Sequence, residues 1–412
     1  MSGDSNARSR GAPSGRLEPG PDRSRDSSPD RRMRILLWAE MFWPQMGGGS
    51  QFSTELARVM QKRGHELLVV TRQDDLLLPS EECLGTIPVH RFPFHQALSG
   101  GDIGRISEIR QQVAELKATF AADVIHTTSF GASMFFQLAT RDISQSPLLV
   151  SLLGEGSSES AAADSVLHRT LEAADWVTAP SHAALADTRR WVPGCSSRSS
   201  VIRSGMQRPA AEPKPFPKGD PRLLCLGRLD RVKGFDLAVS ALPVILEKYP
   251  SARLVIAGDG PERGPLKKQA GRLGISRFVE FMGWVSLGDV PEVVSSASIV
   301  IMPSRADAFP LVGLQAGFMA RPTVATFVGG IPELIVHGET GWLVEPGSPA
   351  ALARGVERLL GDPAMMHRIG QAALRRCSDV FGFDRIVDEV ENLYVQIVST
   401  RQPGVQEKHS AD

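Results

Sequence analysis

Two short stretches place chemically capable side chains at fixed spacing. In "GRLDRVKG" (227–234), Arg228 and Lys233 stand five residues apart, in a loop that follows an apolar strand and closes at Gly234. Two cations at the carboxyl end of a strand suit a diphosphate, which has charge to neutralise and many acceptor oxygens. Solvated surface charge is the plain alternative. In "SRADAFPLVGLQAG" (304–317), Asp307 precedes an apolar run that Gln315 interrupts eight residues later. The pattern predicts a helix starting near Phe309 or Pro310, where proline is tolerated. Asp307 then sits just before a helix N-terminus with its free N–H groups, and Gln315 about two turns in. Asp307 could simply cap that helix; an amide on an otherwise apolar face needs partners.

Weaker signals surround these two. In "FVGGIPELIVHGETGWLV" (327–344), the pair Gly329 and Gly330 would let the backbone approach a ligand closely. "GGG" (47–49) does not match the GxGxxG of a dinucleotide cofactor, yet its backbone could touch a phosphate; a flexible loop is the alternative. His126, at the end of "DVIH", could face a cleft or be a structural strand-end histidine.

These side chains need a scaffold, and the sequence describes one. "RILLWA" (34–39) is a continuous apolar run, "STELARVMQKRG" has helical spacing and stops at Gly64, and "HELLVVT" is the next strand. Strand, helix and strand in that order imply a parallel sheet covered by helices. The theme recurs at "ADVIHTT", "PLLVSLL", "ADWVTAP" and "SSVIRSG". Residues 206–220, "MQRPAAEPKPFPKGD", read as a linker, after which "RLLCLGRL", "ARLVIAGDG", "FVEFMGWV", "IVIMPS" and "RPTVAT" restart the alternation. Two α/β halves around a short linker leave a cleft faced by strand ends of both. The expected division is a first domain over 33–205, a second over 221–382, and a last helix over 383–400 that packs back on the first. The segment 103–120 reads as an amphipathic helix lacking a strongly basic face, packed on the sheet, with peripheral membrane contact left open. No code is legible in the loop region 74–104.

Bulk properties exclude several classes. The 412 residues carry 46 Lys plus Arg against 46 Asp plus Glu, so nothing draws the chain as a whole to nucleic acid or anionic lipid. The four cysteines, Cys83, Cys195, Cys225 and Cys377, form no CxxC pair, which argues against a zinc site or disulfide framework and suits a reducing compartment. No apolar run approaches a membrane span. The first 32 residues lack a hydrophobic segment, so no signal peptide is expected there, and their composition predicts disorder, as at 401–412. Met33 directly precedes the first strand and is a candidate translation start.

In order and spacing, "GGG…ELARVMQKRGHELLVVT", "DVIH", "GRLDRVKG", "LVIAGDGP", "GWV", "MPSRADAFPLVGLQAG" and "RPTVATFVGGIPELIVHGETGWLV" resemble the retaining glycosyltransferases of family four, over about 34–400. The resemblance implies an α/β GT-B fold, two Rossmann-like domains whose parallel sheets face an inter-domain cleft. It implies transfer of a sugar from a UDP- or GDP-linked donor to a hydroxyl of a carbohydrate or lipid-linked acceptor, with no cofactor and no metal, in the cytoplasm or at the inner face of a membrane. Carried over by position, it gives Arg228, Lys233 and Asp307 catalytic roles. It gives donor binding to Gly47, Gly48, Val285, Ala308, Phe309, Leu311 and Gln315, and leaves His126 a cleft candidate.

The chain departs from the family pattern at several of these places. Asp307 and Gln315 stand where two glutamates are usual, Pro310 where glycine is common, Leu153 where many members have histidine, and Ser204 and Gln207 where Asn and Asp are usual. Leucine cannot donate a hydrogen bond, and Gln315 keeps an acceptor oxygen without its charge. The reading is a glycosyltransferase; a nucleotide-sugar-binding protein with weak or lost transfer is the alternative, and a GT-B sugar-nucleotide epimerase ranks third.

Overall fold

The computed structural model describes residues 32–45, 47–73, 77–128, 130–154 and 162–401. Apart from Arg32 and Arg401, the tails expected to be disordered lie outside the described residues. Among the described residues, fourteen strands fall in two sheets. The first sheet contains β1 (Arg34–Ala39), β2 (Glu66–Arg72), β3 (Glu81–Leu84), β4 (Ile87–Phe92), β5 (Val124–Thr127), β6 (Leu148–Ser151), β7 (Trp176–Ala179) and β8 (Ser199–Val201). The second contains β9 (Arg222–Leu226), β10 (Arg253–Ala257), β11 (Val279–Gly283), β12 (Ile299–Met302), β13 (Thr323–Thr326) and β14 (Trp342–Val344). The strand orders are 3-4-2-1-5-6-7-8 and 11-10-9-12-13-14. All pairings are parallel except the antiparallel hairpin β3–β4. Without that added edge strand, both sheets wind outward from their first strand in the same doubly wound order.

The pleat sends successive side chains to opposite faces, which is why the strands are apolar throughout. From β1, Ile35, Leu37 and Ala39 join one core with the helix Gly48–Lys62, while Leu36 and Trp38 join the other with the helix Ile103–Phe120. In the second sheet Leu223 and Cys225 face the helices Phe235–Lys248 and Pro349–Leu360. Leu224 faces the helices Leu311–Phe318 and Pro363–Phe381.

The last helix, Phe383–Thr400, returns to the first domain. Its Ile386, Val387, Val390, Leu393, Tyr394 and Ile397 share a core with Leu37, Leu56 and Val69. Each such buried side chain contributes about 1.5–3 kcal/mol. The chain therefore crosses between domains twice, and the crossings lie side by side: Met206 bridges Gly382, with Met206 N donating to Phe381 O at 3.3 Å. The linker is fastened as well. Arg321, fully buried, donates to the carbonyls of Lys214 (2.9 Å) and Pro215 (3.1 Å) and lies over the Phe216 ring. No helix among the described residues is long and apolar enough to cross a membrane.

The hairpin β3–β4 and the helix Phe94–Ser99 occupy the region where sequence offered no code. The hairpin is short, Pro88 interrupts it, and its first strand is half polar and half-exposed. Apolar alternation is confined to Ile87 and Val89.

Candidate functional site

Each sheet has one place where its strand order reverses, between β1 and β5 in the first and between β9 and β12 in the second. Open parallel sheets take ligands outside the carboxyl ends of their strands at such a point, because the diverging connections leave a crevice there. Gly48 and Gly49 follow β1, Leu153 and Gly154 follow β6, Arg228 and Lys233 follow β9, and Asp307 follows β12. All of them border one cavity of about 400 Å³ between the domains, together with Ala308, Phe309 and Leu311.

The charged wall of this cavity is built by the second domain. Asp230 starts the short 3-10 turn Arg231–Lys233: its Oδ1 accepts from Lys233 N at 3.2 Å, while its Oδ2 lies 2.7 Å from Arg228 Nη2. Gly234 ends the turn at φ 67°, and a Cβ there would overlap Pro303 O, so only glycine lets the β9 and β12 loops touch. Arg305 locks the two loops together. Its guanidinium grips both Asp236 carboxylate oxygens at 2.7 Å and the Arg231 carbonyl at 2.9 Å. The hydrogen bond from Arg305 holds the Asp236 carboxyl below the usual carboxylate range. Lys233 Nζ thereby meets Asp307 Oδ2 at 2.9 Å, and Ser304 Oγ donates to the same oxygen at 3.3 Å. Asp307 is buried, whereas the Arg228 side chain is 74% exposed.

Backbone adds to the positive potential. The helices Gly48–Lys62 and Leu311–Phe318 both begin at the cavity, and neither has a side-chain cap on its first turn. Their free N–H groups and dipoles favour an anion between them. The domains approach closely here: a Cβ on Gly48 would come within 2.9 Å of Leu311 Cδ1. A second cavity of about 440 Å³ shares Gly48, Phe52 and Leu311 with the first and is bordered by Gln315, Leu287 and Gly288.

The structure revises several expectations. The helix begins at Leu311, with Pro310 extended at the cap position, and Asp307 is no cap but the partner of Lys233. Asp307 and Gln315 border different cavities, the first and the second. Gly47 borders neither, standing one residue before the helix start while Gly48 and Gly49 form the wall. Val285 packs on the second-domain core, and the nearby Leu287 and Gly288 reach the cavity in its place. Gly329 and Gly330 do approach a backbone closely, but it is that of Asp307 and Ala308.

His126 is the clearest correction. It is fully buried, with Nδ1 2.6 Å from Tyr394 Oη on the last helix and Nε2 2.8 Å from Ser151 Oγ. Burial lowers its pKa to about 3, so it is a neutral strut within the first domain rather than a cleft residue. Sequence reasoning missed Asp230 and Ser304, which orient Arg228, Lys233 and Asp307. Asp230 stands three residues before Lys233, whose backbone N–H it accepts, and Ser304 three before Asp307, the spacing of a polar group at the start of a turn.

Comparison with known proteins settles the family. A "Glycosyl transferase 4-like domain" matches residues 47–203 and "Glycosyl transferases group 1" matches residues 207–376, together the greater part of the chain. The chain belongs to the family-four, group 1 glycosyltransferases. An uncharacterized glycosyltransferase of Methanocaldococcus jannaschii is 35% identical over 172 residues, 42% of this chain and 44% of that one. The chain thus spans less than half the length of that relative. Sucrose-phosphate synthase of Thermosynechococcus elongatus superposes with TM-score 0.78 at 22% identity, covering 90% of this chain and 100% of that one. HepE of Anabaena, solved with UDP and glucose, gives TM-score 0.71 at 21% identity, covering 89% and 100%. These likenesses establish the GT-B fold: two domains with predominantly parallel sheets facing each other.

Proposed function

We propose that the chain is a retaining, metal-independent glycosyltransferase that moves a sugar from a nucleotide diphosphate donor to a hydroxyl of a carbohydrate or lipid-linked acceptor. One observation carries the reading. Arg228, Lys233 and two helix N-termini from opposite domains converge on a single cavity that also holds a carboxylate. That set neutralises a diphosphate without a metal. The diphosphate occupies the first cavity, the ribose hydroxyls meet Gln315 in the second, and a uridine or guanosine base lies beyond them. HepE, of the same fold, was solved with UDP, which favours the uridine form.

In the reaction the bond from the sugar's anomeric carbon to the diphosphate breaks, and a bond to the acceptor oxygen forms on the same face. The acceptor proton passes to a diphosphate oxygen. Negative charge grows on the leaving group as this happens. Lys233 and Arg228 meet it there as cations already in place, so no reorganisation is needed at the moment of reaction. Asp307 holds the Lys233 ammonium at 2.9 Å; with donor present the ammonium is shared, and the freed carboxylate oxygens accept from sugar hydroxyls.

Leu153 favours a second reading, donor binding without efficient transfer, because it presents an apolar surface to the cavity where a hydrogen-bond donor would help. One experiment separates the two. A panel of nucleotide sugars is screened by thermal shift, and those that raise the melting point are incubated with glycan and lipid-linked acceptors in vesicles. Transfer with retained anomeric configuration, followed by NMR, supports the first reading. Binding without transfer or donor hydrolysis supports the second.

A further inference from the structure

The two domains meet a second time away from the chain crossings, through Glu333. This residue lies on the short helix Ile331–Leu334 of the second domain, yet its carboxylate sits on the N-terminus of the helix His182–Trp191 in the first. Oε1 accepts from His182 N at 2.6 Å and from Ala183 N at 3.4 Å, and Oε2 lies 2.9 Å from His182 Nδ1 and 3.7 Å from Arg203 Nη2.

A helix leaves its first N–H groups without partners of its own. Ser181 Oγ takes Ala184 N at 3.1 Å and Ser181 O takes Leu185 N at 2.9 Å. The remaining two are completed by the other domain. The capping of this helix is therefore divided between its own domain and the one opposite.

Both ends of the contact are connected to the donor cavity. Arg376 grips the carbonyls of Glu333 and Leu334, each at 2.8 Å, so the second-domain side is rigid. Three residues upstream, Gly330 N donates to Asp307 O at 2.8 Å, and a Cβ on Gly330 would come within 2.9 Å of Ser181 Cβ. Between the helix His182–Trp191 and the Asp307–Ala308 backbone lies a cavity of about 140 Å³ that adjoins the donor cavity. The same loop thus supports the Asp307 backbone and touches the opposite domain.

We propose that Glu333 is a positioning residue that clasps the two domains shut and sets Asp307 and Ala308 for transfer. When the cleft opens, water can satisfy the carboxylate and the two N–H groups almost as well, so the net strength of the contact is small and it is reversible. That is what a transferase needs if substrates enter an open cleft and react in a closed one. The proposal rests on the transferase reading for its kinetic consequence, not for its structural one.

The test compares the wild type with Glu333→Ala and Glu333→Gln by steady-state kinetics, UDP calorimetry, thermal melting and small-angle X-ray scattering. Glu333→Ala should lower kcat by about tenfold or more, the scale of a small misplacement at the reacting centre. UDP affinity and melting point should stay near wild type, while the radius of gyration rises. Glu333→Gln, which keeps the acceptor oxygen for the two N–H groups, should recover most of the kcat. Unchanged kcat and scattering in Glu333→Ala would overturn the proposal. So would a kcat loss matched by equal losses of UDP affinity and melting point, which marks a merely structural role. If the wild type neither binds UDP nor transfers, the transferase reading falls, and the scattering comparison still decides the clasp.

Discussion

Two pairs of basic residues in this molecule differ in what surrounds them. Arg228 and Lys233 stand at the inter-domain cavity, each matched by a carboxylate, Asp230 at 2.7 Å and Asp307 at 2.9 Å. Lys117 and Arg321 are buried and matched by neutral oxygens. Lys117 Nζ donates to Gln137 O, Thr140 O and Thr140 Oγ1, and Arg321 to the carbonyls of Met319, Lys214, Pro215 and Ser295. A carboxylate partner can be exchanged for the oxygens of an arriving anion at little net cost in charge. A cage of carbonyls cannot, because those carbonyls would be left buried without a donor. The first pair suits ligand binding; the second holds the fold together.

Substitutions can break that contrast, and the largest effects belong at the cavity. Arg228→Ala and Lys233→Ala should each lower kcat/KM by about 100- to 1,000-fold, the usual cost of removing one donor to developing charge. Arg228→Ala should leave the melting point unchanged because the side chain is largely exposed; steady-state kinetics beside a melting curve checks both. Arg321→Ala should do the reverse. It leaves buried carbonyls unpartnered and frees the linker, costing about 2–4 kcal/mol in chemical denaturation. UDP affinity of the folded fraction should be unaltered.

Lys117 sharpens the contrast through pH. Burial lowers its pKa to about 7 from 10.5, so between those values the unfolded chain binds a proton that the folded chain does not. Stability from this group therefore rises by about 1.4 kcal/mol per pH unit through that window and is poorest, and flat, below it. Denaturation of the wild type against Lys117→Met between pH 7 and 9.5 should show the gap moving in favour of the wild type as pH rises. The smallest effect is expected at Gln315. Gln315→Glu adds charge assistance to a ribose hydrogen bond and should tighten UDP binding by about fivefold in calorimetry, near 1 kcal/mol.

The same contrast marks the limit of what the sequence reveals. Arg228 and Lys233 were legible because they fall in a loop after an unbroken apolar strand, and the strands themselves were legible because both faces of each sheet are covered. Lys117, in "AELKATF", reads as one more polar position on an amphipathic helix; only the fold turns it toward Thr140 and the Trp38 ring. His126 misled for a related reason. Its partner Tyr394 lies 268 residues away, on a helix that returns to the first domain, and no local pattern announces that contact. Glu333 and the N-terminus of the helix His182–Trp191 are likewise 151 residues apart. Long-range polar pairs of this kind leave only an ordinary charged residue in the sequence.

The most direct test of the donor-site assignment is a crystal structure of the protein soaked with UDP or GDP. Diphosphate oxygens should lie within hydrogen-bond distance of Lys233 Nζ and Arg228, with the Lys233–Asp307 contact lengthened and the ribose beside Gln315. A nucleotide bound elsewhere, or in this cleft with both cations still on their carboxylates, would contradict it.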